Sequence, residues 1–398
     1  MRPQSQVRYH PSMDDTPVPL TRREWIASTG LLAGIGMSRA ARGTQRDRRL
    51  FVGTYTGTSS RGIYTCLFNE ATGAIGSPTL AADTPNPSFL TGSTDGRLLF
   101  AVNEIEAFDG ARSGSVTSFA ADAVTGRLTR ISTQPSLGAA PCHLALDRTG
   151  RFLAVANYTG GTFAVLPVGV DGRLGPAQTV LRNTGSGPNR ARQDGPHAHM
   201  VLFDTTGRFL LGADLGIDRV LVYRFDPASG AVSAAPGAFE VPPGSGPRHL
   251  AFHPHDPLLF AINELTSTVS TFIWDETTGW LERRGEESTL PPGHSEPSST
   301  AEIAVHPSGR FLYASNRGHD SITCWGLSSD GQMALIDHVP TRGRTPRHFA
   351  IDPSGRWLIA ANQASDSLAV FAIDEESGRL TPTGPLVPVG TPVCVAFT

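Results

Sequence analysis

The sequence predicts an all-β fold, a closed ring of seven blades with four antiparallel strands in each, which is a seven-bladed β-propeller. Three recurring features predict it. A clause of Gly-Arg-aromatic-Leu, followed by small apolar residues and then Asn or Asp, returns along the whole chain. A turn-forming Xaa-Gly pair occurs once in each unit, and a short apolar segment precedes each clause. Repeats of this length that hold only a few strands are typical of propeller blades.

The clause supplies the register of the repeat. Its copies are Gly150–Asn157, Gly207–Asp214, Gly309–Asn316 and Gly355–Asn362, with looser versions at Gly96–Asn103, Asp256–Asn263 and Arg49–Thr54. The final residues of successive copies lie roughly 46 to 57 positions apart. That length accommodates four short strands and their turns.

The Xaa-Gly pairs predict one hairpin per blade, because glycine supplies the positive φ that tight hairpin turns require. They are Thr72-Gly73, Thr125-Gly126, Asp171-Gly172, Ser229-Gly230, Thr278-Gly279, Asp330-Gly331 and Ser377-Gly378. The last apolar segment, Pro392–Phe397, has no clause after it because the chain ends. Its missing partner is Arg49–Tyr55 at the other end. Pairing the two segments closes the ring and leaves no open sheet edge.

Composition excludes several classes of protein. A net charge of −3 lacks the excess of positive charge that is typical of nucleic-acid-binding proteins. All 33 basic residues are Arg, so Schiff-base and P-loop lysines are excluded. The four cysteines suit neither a zinc site nor a disulfide framework, and we interpret them as small buried apolar side chains.

Residues 1–47 are predicted to be an export signal and linker, and residues 48–398 the propeller. Paired arginines at Arg22-Arg23 precede a short apolar stretch, Ile26–Met37, and a small-residue site. This resembles a twin-arginine signal, and the apolar stretch is too short for a membrane span. We therefore expect a periplasmic protein that crosses the membrane folded and has no stable membrane insertion after signal removal. A cytosolic protein with a disordered tail is the alternative.

The repeat also predicts where a site lies. The start of each innermost strand and the end of its neighbour meet at one rim of the central channel. Residues that recur in every blade are expected to be structural, whereas those that differ at equivalent positions are free to form a site. The rim residues chosen in this way include His197, His199, Arg248, Glu264, Arg317, Glu104, Tyr158, Asp214, Glu302 and Arg347.

Arginines and histidines that converge with glutamates suit an anionic or oxygen-rich substrate. Structural roles remain open for several of these residues: Arg248 with Glu264, or Glu302 with Arg317, could form cross-strand ion pairs. His143, His249 and His348 share one register and could serve packing or hydrogen bonding. Because three arginines oppose a bare divalent ion, we expect neither a metal nor another cofactor.

At these residues the chain resembles the seven-bladed propeller lactonases, the bacterial 6-phosphogluconolactonase family, whose relatives include the fungal carboxy-cis,cis-muconate lactonising enzyme. The resemblance extends from about Leu50 to the C-terminus. It rests on Gly195-Pro-His-Ala-His199, Asp214–Arg219, Gly246–His253, Asn263-Glu-Leu265, Ala301-Glu-Ile303, Ser315–Asp320 and Pro346-Arg-His348.

The resemblance implies that a His and a Glu flanked by two Arg are catalytic, and the matching positions are His199 (or His197), Glu264, Arg248 and Arg317. The implied reaction is hydrolysis of a small-molecule sugar lactone. His199 or Glu264 would be the general base, and the arginines would stabilise the oxyanion or bind the substrate's anionic group. The predicted export leaves open whether the lactone is phosphorylated. Two alternatives remain, a cycloisomerase of the muconate-lactonising type and a non-catalytic exported binding module.

Overall fold

The computed structural model describes residues 47–398, which form seven four-stranded antiparallel sheets. Each sheet is one blade, and its strands are called A to D from the channel outward. In chain order the strands are β1 Asp47–Thr54, β2 Gly62–Asn69, β3 Thr79–Asp83, β4 Leu90–Gly92, β5 Leu98–Asn103, β6 Ser115–Ala121, β7 Leu128–Pro135, β8 Pro141–Leu146, β9 Phe152–Asn157, β10 Thr162–Pro167, β11 Thr179–Arg182, β12 Ala198–Phe203, β13 Phe209–Asp214, β14 Arg219–Phe225, β15 Val232–Glu240, β16 Pro247–Phe252, β17 Leu258–Asn263, β18 Thr268–Asp275, β19 Trp280–Ser288, β20 Ser299–Val305, β21 Phe311–Arg317, β22 Ser321–Leu327, β23 Met333–Pro340, β24 Pro346–Ile351, β25 Trp357–Asn362, β26 Ser367–Ile373, β27 Leu380–Pro388 and β28 Pro392–Phe397. Short 3₁₀ segments occur at Leu215–Ile217 and Gln363–Ser365.

The ring closes as the sequence predicts. Strand β28 is strand A of blade 1 and pairs antiparallel with β1, with Leu50 opposite Phe397 and Val52 opposite Val395. Blades 2 to 7 then follow in chain order as β4–β7, β8–β11, β12–β15, β16–β19, β20–β23 and β24–β27. The predicted fold class, a seven-bladed propeller with four antiparallel strands per blade, is confirmed.

The apolar core is divided among the interfaces between blades. Seven clusters of buried side chains occur, and each draws on two adjacent blades. The cluster between blades 4 and 5, for example, includes Phe209 and Val222 from one blade and Leu259 and Phe272 from the other. Because no blade buries its faces alone, the ring is the unit that forms the core.

The arginine of the Gly-Arg clause connects one blade to the next at five of the seven interfaces, through Arg49, Arg151, Arg208, Arg310 and Arg356. It donates to carbonyl oxygens in the C–D hairpin of the following blade, at 2.8 Å from Arg208 to Glu276 and 2.8 Å from Arg356 to Glu70. The aromatic residue of the clause lies against the glycine of the same hairpin, as Phe152 does at Gly230. The recurrence of the clause is explained by these contacts between neighbouring blades. The interpretation of these arginines as structural is consistent with this arrangement.

All seven predicted hairpin glycines have positive φ, between +71° at Gly378 and +85° at Gly331. The four cysteines are buried free thiols in four different strands. Within residues 47–398 no helix is long and apolar enough to cross a membrane. The predicted export signal falls almost wholly before Asp47, outside the described residues.

Candidate active site

Strand A begins with an irregularity that separates two layers of side chains around the channel. In blades 3 to 7 and in blade 1, the pairing with strand B shifts at the start of strand A. The mouth layer consists of the extra residues, Cys142, His199, Arg248, Ala301, Arg347 and Val393. The residues that follow them, together with Phe89 of blade 2, form the lower layer: Phe89, His143, Met200, His249, Glu302, His348 and Cys394.

Backbone hydrogen bonds position the residues that follow strand B at the same rim. The amides of Tyr55, Glu104, Tyr158, Glu264 and Gln363 donate to the carbonyl of the residue just before a strand-A proline or, in blade 2, before Pro87, at 2.7 to 3.2 Å. Those acceptors have positive φ in all five cases: Asn86, Ala140, Gly246, Thr345 and Thr391. Non-glycine residues in this conformation cost energy and concentrate at functional sites.

Aspartates in the preceding B–C turns hold three of these residues with positive φ. Asp218 accepts from the amide of Gly246 at 2.8 Å, and Asp320 accepts from Thr345 at 2.8 Å. Asp366 does the same for Thr391 at 2.7 Å. Asp218 in blade 4 thus fixes the turn of blade 5 that carries Glu264.

Three guanidinium groups surround the carboxylate of Glu264. Arg192 Nη2 lies 2.5 Å from Oε1, and Arg317 Nη2 and Arg248 Nε lie 2.9 and 3.2 Å from Oε2. Arg248 and Arg317 also donate to the carbonyls of Ala301 and Thr300, each at 2.6 Å. Glu264 and Arg248 are almost completely buried, whereas the side chain of Arg192 is 41% exposed.

This cluster fixes the ionisation of its members. Burial disfavours the charged form of Glu264, but Arg317, Arg248 and Arg192 outweigh that effect and lower its pKa to about 2. Burial lowers the pKa of Arg248 to about 10, assisted by the neighbouring charges of Arg347 and Arg317. At neutral pH Glu264 is an ionised carboxylate that already serves as the counter-ion of three arginines.

A second polar group faces the channel from blades 1, 2 and 7. The Tyr55 hydroxyl lies 3.0 Å from both carboxylate oxygens of Glu104. The guanidinium of Arg347 lies 5.4 Å from the centre of the Tyr55 ring. Four arginines thus face two carboxylates, Glu264 and Glu104, around the mouth. The imbalance favours an anionic group or a developing negative charge.

His199 is a buried, neutral imidazole at this mouth. It occupies the same layer as Arg248, and its Nδ1 atom is enclosed without a hydrogen-bond partner in the protein. Burial lowers its pKa well below the ordinary value, and the charges of Arg248, Arg347 and Arg317 add to the effect. Tyr158 makes an edge contact with its ring at 5.6 Å between centroids.

His197 and Asp214 lie at the edge of this group. The His197 ring stacks on Tyr158 at 4.6 Å, and its backbone amide donates to Asp214 at 2.7 Å. Asp214 is fully buried and also accepts from Gly216 and Asn183. These hydrogen bonds show that Asp214 holds the backbone of the segment that carries His197.

The alternative in which Glu302 forms a cross-strand ion pair with Arg317 is wrong. Glu302 lies one layer lower, 3.1 Å from His249 Nδ1 and 3.2 Å from His348 Nε2, while Arg317 pairs with Glu264. The two-residue bulge at Ala301 and Glu302 is the physical reason, because it sets Glu302 beneath the mouth. The other alternative, an ion pair between Arg248 and Glu264 in one blade, is present.

The histidines that share a register fill the lower layer. The His143 ring packs on Phe89 at 3.9 Å, and the His249 ring lies 5.2 Å from His143 and 5.2 Å from His199. Burial lowers the pKa of His348 to about 4 and raises the pKa of Glu302. His249 and His348 are hydrogen-bonding members of this layer, as the structural alternative allowed.

Sequence reasoning missed Arg192, which lies outside the repeat in the loop between β11 and β12. Its neighbour Gln193 anchors that loop, since the fully buried amide donates to Leu215 O at 2.8 Å and to Asp218 at 2.7 Å. The available signal was the spacing of 57 residues between Asn157 and Asp214, the longest in the repeat. Tyr55, which contacts Glu104 and Arg347, was also absent from the predicted site residues.

The fold and the site define a β-propeller with an arginine-rich polar pocket at one mouth of its channel, and comparison with known proteins gives the family. Residues 49–397 match the family model described as lactonase, 7-bladed beta-propeller. The chain is 35% identical over 348 residues to 6-phosphogluconolactonase of Bacillus subtilis, with 87% of this chain and 97% of that protein covered. It is 34% identical over 337 residues to 6-phosphogluconolactonase of Formosa agariphila, with 83% and 94% covered.

A solved structure gives the same result. The periplasmic gluconolactonase of Pseudomonas aeruginosa is 37% identical and superimposes with a TM-score of 0.82, covering 88% of this chain and 99% of that one. The chain belongs to the seven-bladed β-propeller lactonase family, and it is an enzyme of the lactone hydrolase class.

Proposed function

We propose that this protein hydrolyses a sugar lactone of the gluconolactone type, and that the mouth-layer residues His199, Arg248 and Arg317 with Glu264 carry the reaction. The observation that supports this most directly is the group of three arginines around one buried carboxylate, next to a neutral buried histidine. The names of relatives at 34 to 37% identity support the same substrate class.

His199 is the general base in this proposal. A base needs a lone pair that is free to bind a proton, and both carboxylate oxygens of Glu264 are already engaged by guanidinium groups. His199 is neutral and accepts a proton from the attacking water through Nε2. The hydroxide oxygen then bonds to the lactone carbonyl carbon, and the carbonyl electron pair moves to oxygen.

The arginines stabilise the resulting oxyanion. Arg248 and Arg317 are held by backbone carbonyls and by Glu264, so their positions are set before the substrate arrives. Such preorganised charge is worth more in a buried site than in water. When the ring C–O bond breaks, the proton returns from His199 to the leaving oxygen, and the product is a hydroxy acid. In this proposal Arg192, Arg347, His197, Glu104 and Tyr158 bind the remaining polar groups of the sugar, and Asp214 positions His197.

The test is a panel of sugar lactones, phosphorylated and unphosphorylated, assayed with purified protein with and without chelator. His199→Asn is expected to lower kcat by roughly 100-fold or more. The exposed His255 on the opposite rim supplies a matched control, and His255→Asn should retain wild-type turnover. Wild-type kcat in His199→Asn, or no turnover of any lactone, contradicts the proposal. Lactone formation from muconates, followed by ultraviolet absorbance, would favour a cycloisomerase instead.

The proposed location is the periplasm, reached by the twin-arginine route. The paired Arg22-Arg23 and the apolar stretch that follows support this proposal, and the periplasmic gluconolactonase relative agrees with it. Fractionation of the native host with Arg22→Lys/Arg23→Lys as the comparison tests it. Unchanged periplasmic content in the double variant, or wild-type protein in the cytosol, contradicts the proposal.

A further inference from the structure

The hydrogen bonds around Glu302 determine the protonation of two histidines below the site. The amide of Val395 donates to His348 Nδ1 at 3.3 Å, so that nitrogen is an acceptor and the neutral ring carries its proton on Nε2. His348 Nε2 therefore donates to Glu302, which it contacts at 3.2 Å. The carboxylate also accepts from the amide of Ile303 at 3.0 Å.

His249 is then the third donor to the same carboxylate. We infer that Glu302 is ionised before the reaction, because it faces the donors His348 Nε2–H and Ile303 N–H. The carboxylate then only accepts, and His249 carries its proton on Nδ1, which lies 3.1 Å from both oxygens. The opposite nitrogen, Nε2, is left as a bare acceptor, and it is buried without a partner in the protein. A carboxylate that orients an imidazole through Nδ1 is the arrangement that makes Nε2 a competent base.

His249 lies directly beneath His199. The two ring centroids are 5.2 Å apart and the rings are inclined at 66°. Both rings have an enclosed nitrogen without a protein partner, Nδ1 in His199 and Nε2 in His249. His143 presents a third such nitrogen, and its ring is also 5.2 Å from His249. Because these enclosed nitrogens do not hydrogen-bond to one another, a bridging water is the partner that would satisfy them.

We propose that Glu302 and His249 form a proton-holding pair beneath His199, a role that rests on the proposed lactone hydrolysis. When His199 Nε2 takes the proton of the attacking water, His199 Nδ1–H passes a proton to His249 Nε2 through one bridging water. The Nδ1 proton of His249 moves to Glu302. The three transfers reverse when the lactone ring bond breaks and the leaving oxygen takes up the proton, so no proton is gained or lost.

The charges around His249 explain why the proton does not stay on either imidazole. Burial disfavours a cationic ring at His249 most strongly, Arg248, Arg347 and Arg317 add to that effect, and Glu264 only partly compensates. Cys394 and His348 complete the surroundings of the carboxylate from blades 1 and 7, and Phe89 covers the rings. Burial raises the pKa of Glu302 and lowers that of His249, and both shifts favour movement of the proton from the ring to the carboxylate.

Replacing Glu302 with Gln tests the pair because it should move the proton of the neutral His249 ring from Nδ1 to Nε2. The amide oxygen accepts from His348 Nε2–H or from the amide of Ile303, and the amide nitrogen takes the other oxygen position. Because His249 Nδ1 lies 3.1 Å from both positions, the amide nitrogen donates to it in either orientation. His249 then carries its proton on Nε2 and cannot accept another. Nitrogen NMR of histidine-labelled protein should report the Nδ1–H form of His249 in the wild type and the Nε2–H form in Glu302→Gln. We expect kcat to fall at least tenfold, with KM within twofold of wild type.

A second variant separates proton transfer from packing. His249→Asn keeps a donor toward Glu302 but has no equivalent of Nε2, so it should show the same loss of kcat. Phe89→Leu disturbs the packing of the same layer without changing any titratable group, and it should retain kcat within about twofold. Melting curves for all three variants report whether the fold is kept.

The outcomes distinguish this proposal from the proposed function. A wild type that hydrolyses no lactone overturns lactone hydrolysis. A wild type that turns over, with Glu302→Gln or His249→Asn equally active, overturns the proton-holding pair alone. An Nε2–H form of His249 in the wild type also overturns it, whatever the activity.

Discussion

Among single residues, Arg192 combines an exposed position with direct contact to the buried carboxylate of the site. Its guanidinium reaches Glu264 and, at 3.3 Å, the hydroxyl of Tyr158, while part of the side chain remains open to solvent. The other three arginines come from strands A and B, which the ring fixes. Arg192 comes from a loop that Gln193 and Asp218 hold in place. It is the arginine best placed to meet an incoming substrate.

Arg192→Gln should therefore weaken binding of anionic lactones. Loss of one charge-assisted hydrogen bond, worth about 1.5 to 3 kcal/mol, corresponds to a rise in KM of roughly 10-fold or more. A neutral lactone should show less than about a twofold change. Steady-state kinetics with phosphorylated and unphosphorylated substrates measure both, and Arg190→Gln in the exposed part of the same loop is the control. Equal changes for charged and neutral lactones would contradict this assignment.

At the scale of the element, the repeated clause and the C–D hairpin of the next blade form one structural joint. A Cβ atom at Gly230 would lie 2.2 Å from the ring of Phe152, and Gly230 itself has a φ of +75°. Gly150 has nearly the same φ, +71°, but no atom within 4 Å of its hypothetical Cβ. Comparing Gly150 with Gly230 therefore distinguishes two reasons for glycine. Both positions need its positive φ, but only Gly230 also needs the absence of a Cβ atom.

Three alanine substitutions measure these requirements by urea unfolding. Gly285→Ala, in open space on strand β19 and without positive φ, should change the free energy of unfolding by less than about 0.5 kcal/mol. Gly150→Ala should cost about 1 to 2 kcal/mol because of its left-handed backbone. Gly230→Ala should cost about 1 to 3 kcal/mol more than Gly150→Ala, since Phe152 must move. Equal losses at Gly150 and Gly230 would show that the joint does not depend on this contact.

At the scale of the whole molecule, the channel gathers titratable groups that belong to separate blades. His143, His199, His249 and His348 come from four blades, and burial is the first cause of the lowered pKa of each. Glu302 has the opposite effect on the pH dependence of stability, because its pKa is raised. The pH dependence of stability is thus a property of the closed ring.

The protein should lose stability as the pH falls below about 6.5, the ordinary histidine value. The unfolded chain then binds protons that the folded ring excludes, and the loss continues toward pH 4, near the folded pKa of His348. Each histidine contributes up to about 1.4 kcal/mol per pH unit, and Glu302 offsets at most one of them. Unfolding free energies between pH 5 and 8 measure the slope. His143→Phe should reduce the slope of unfolding free energy against pH by the contribution of one bound proton. An unchanged slope would contradict the role of the histidines.

Ring closure is the second property of the whole molecule. Deleting Pro392–Thr398 removes strand A of blade 1 and exposes the paired edge of β1. We expect a lower melting temperature and concentration-dependent aggregation, because an open edge templates pairing with other chains. Deleting Thr398 alone should leave melting within a few degrees of wild type. Unchanged melting after the longer deletion would mean that the ring holds without the sheet that joins the two ends of the propeller.

The sequence by itself determined the number of blades, their strand order, the closing pair and the rim at which these polar side chains gather. It could do so because each of these follows from a local pattern that every interface repeats, such as the glycine at a positive φ and the arginine that reaches the next hairpin. It also singled out Glu264, Arg248, Arg317 and His199 through their departure from the repeat.

Only the tertiary structure decided how those residues are arranged. Arg192 reaches Glu264 from a loop without periodicity, which no repeat comparison could place. Glu302 lies with the histidines because one bulge holds two residues opposite one. The ionisation of Glu264 and the protonation of His249 depend on burial and on neighbours from other blades. Those are properties of side chains brought together across the channel, and the order of residues along the chain does not specify them.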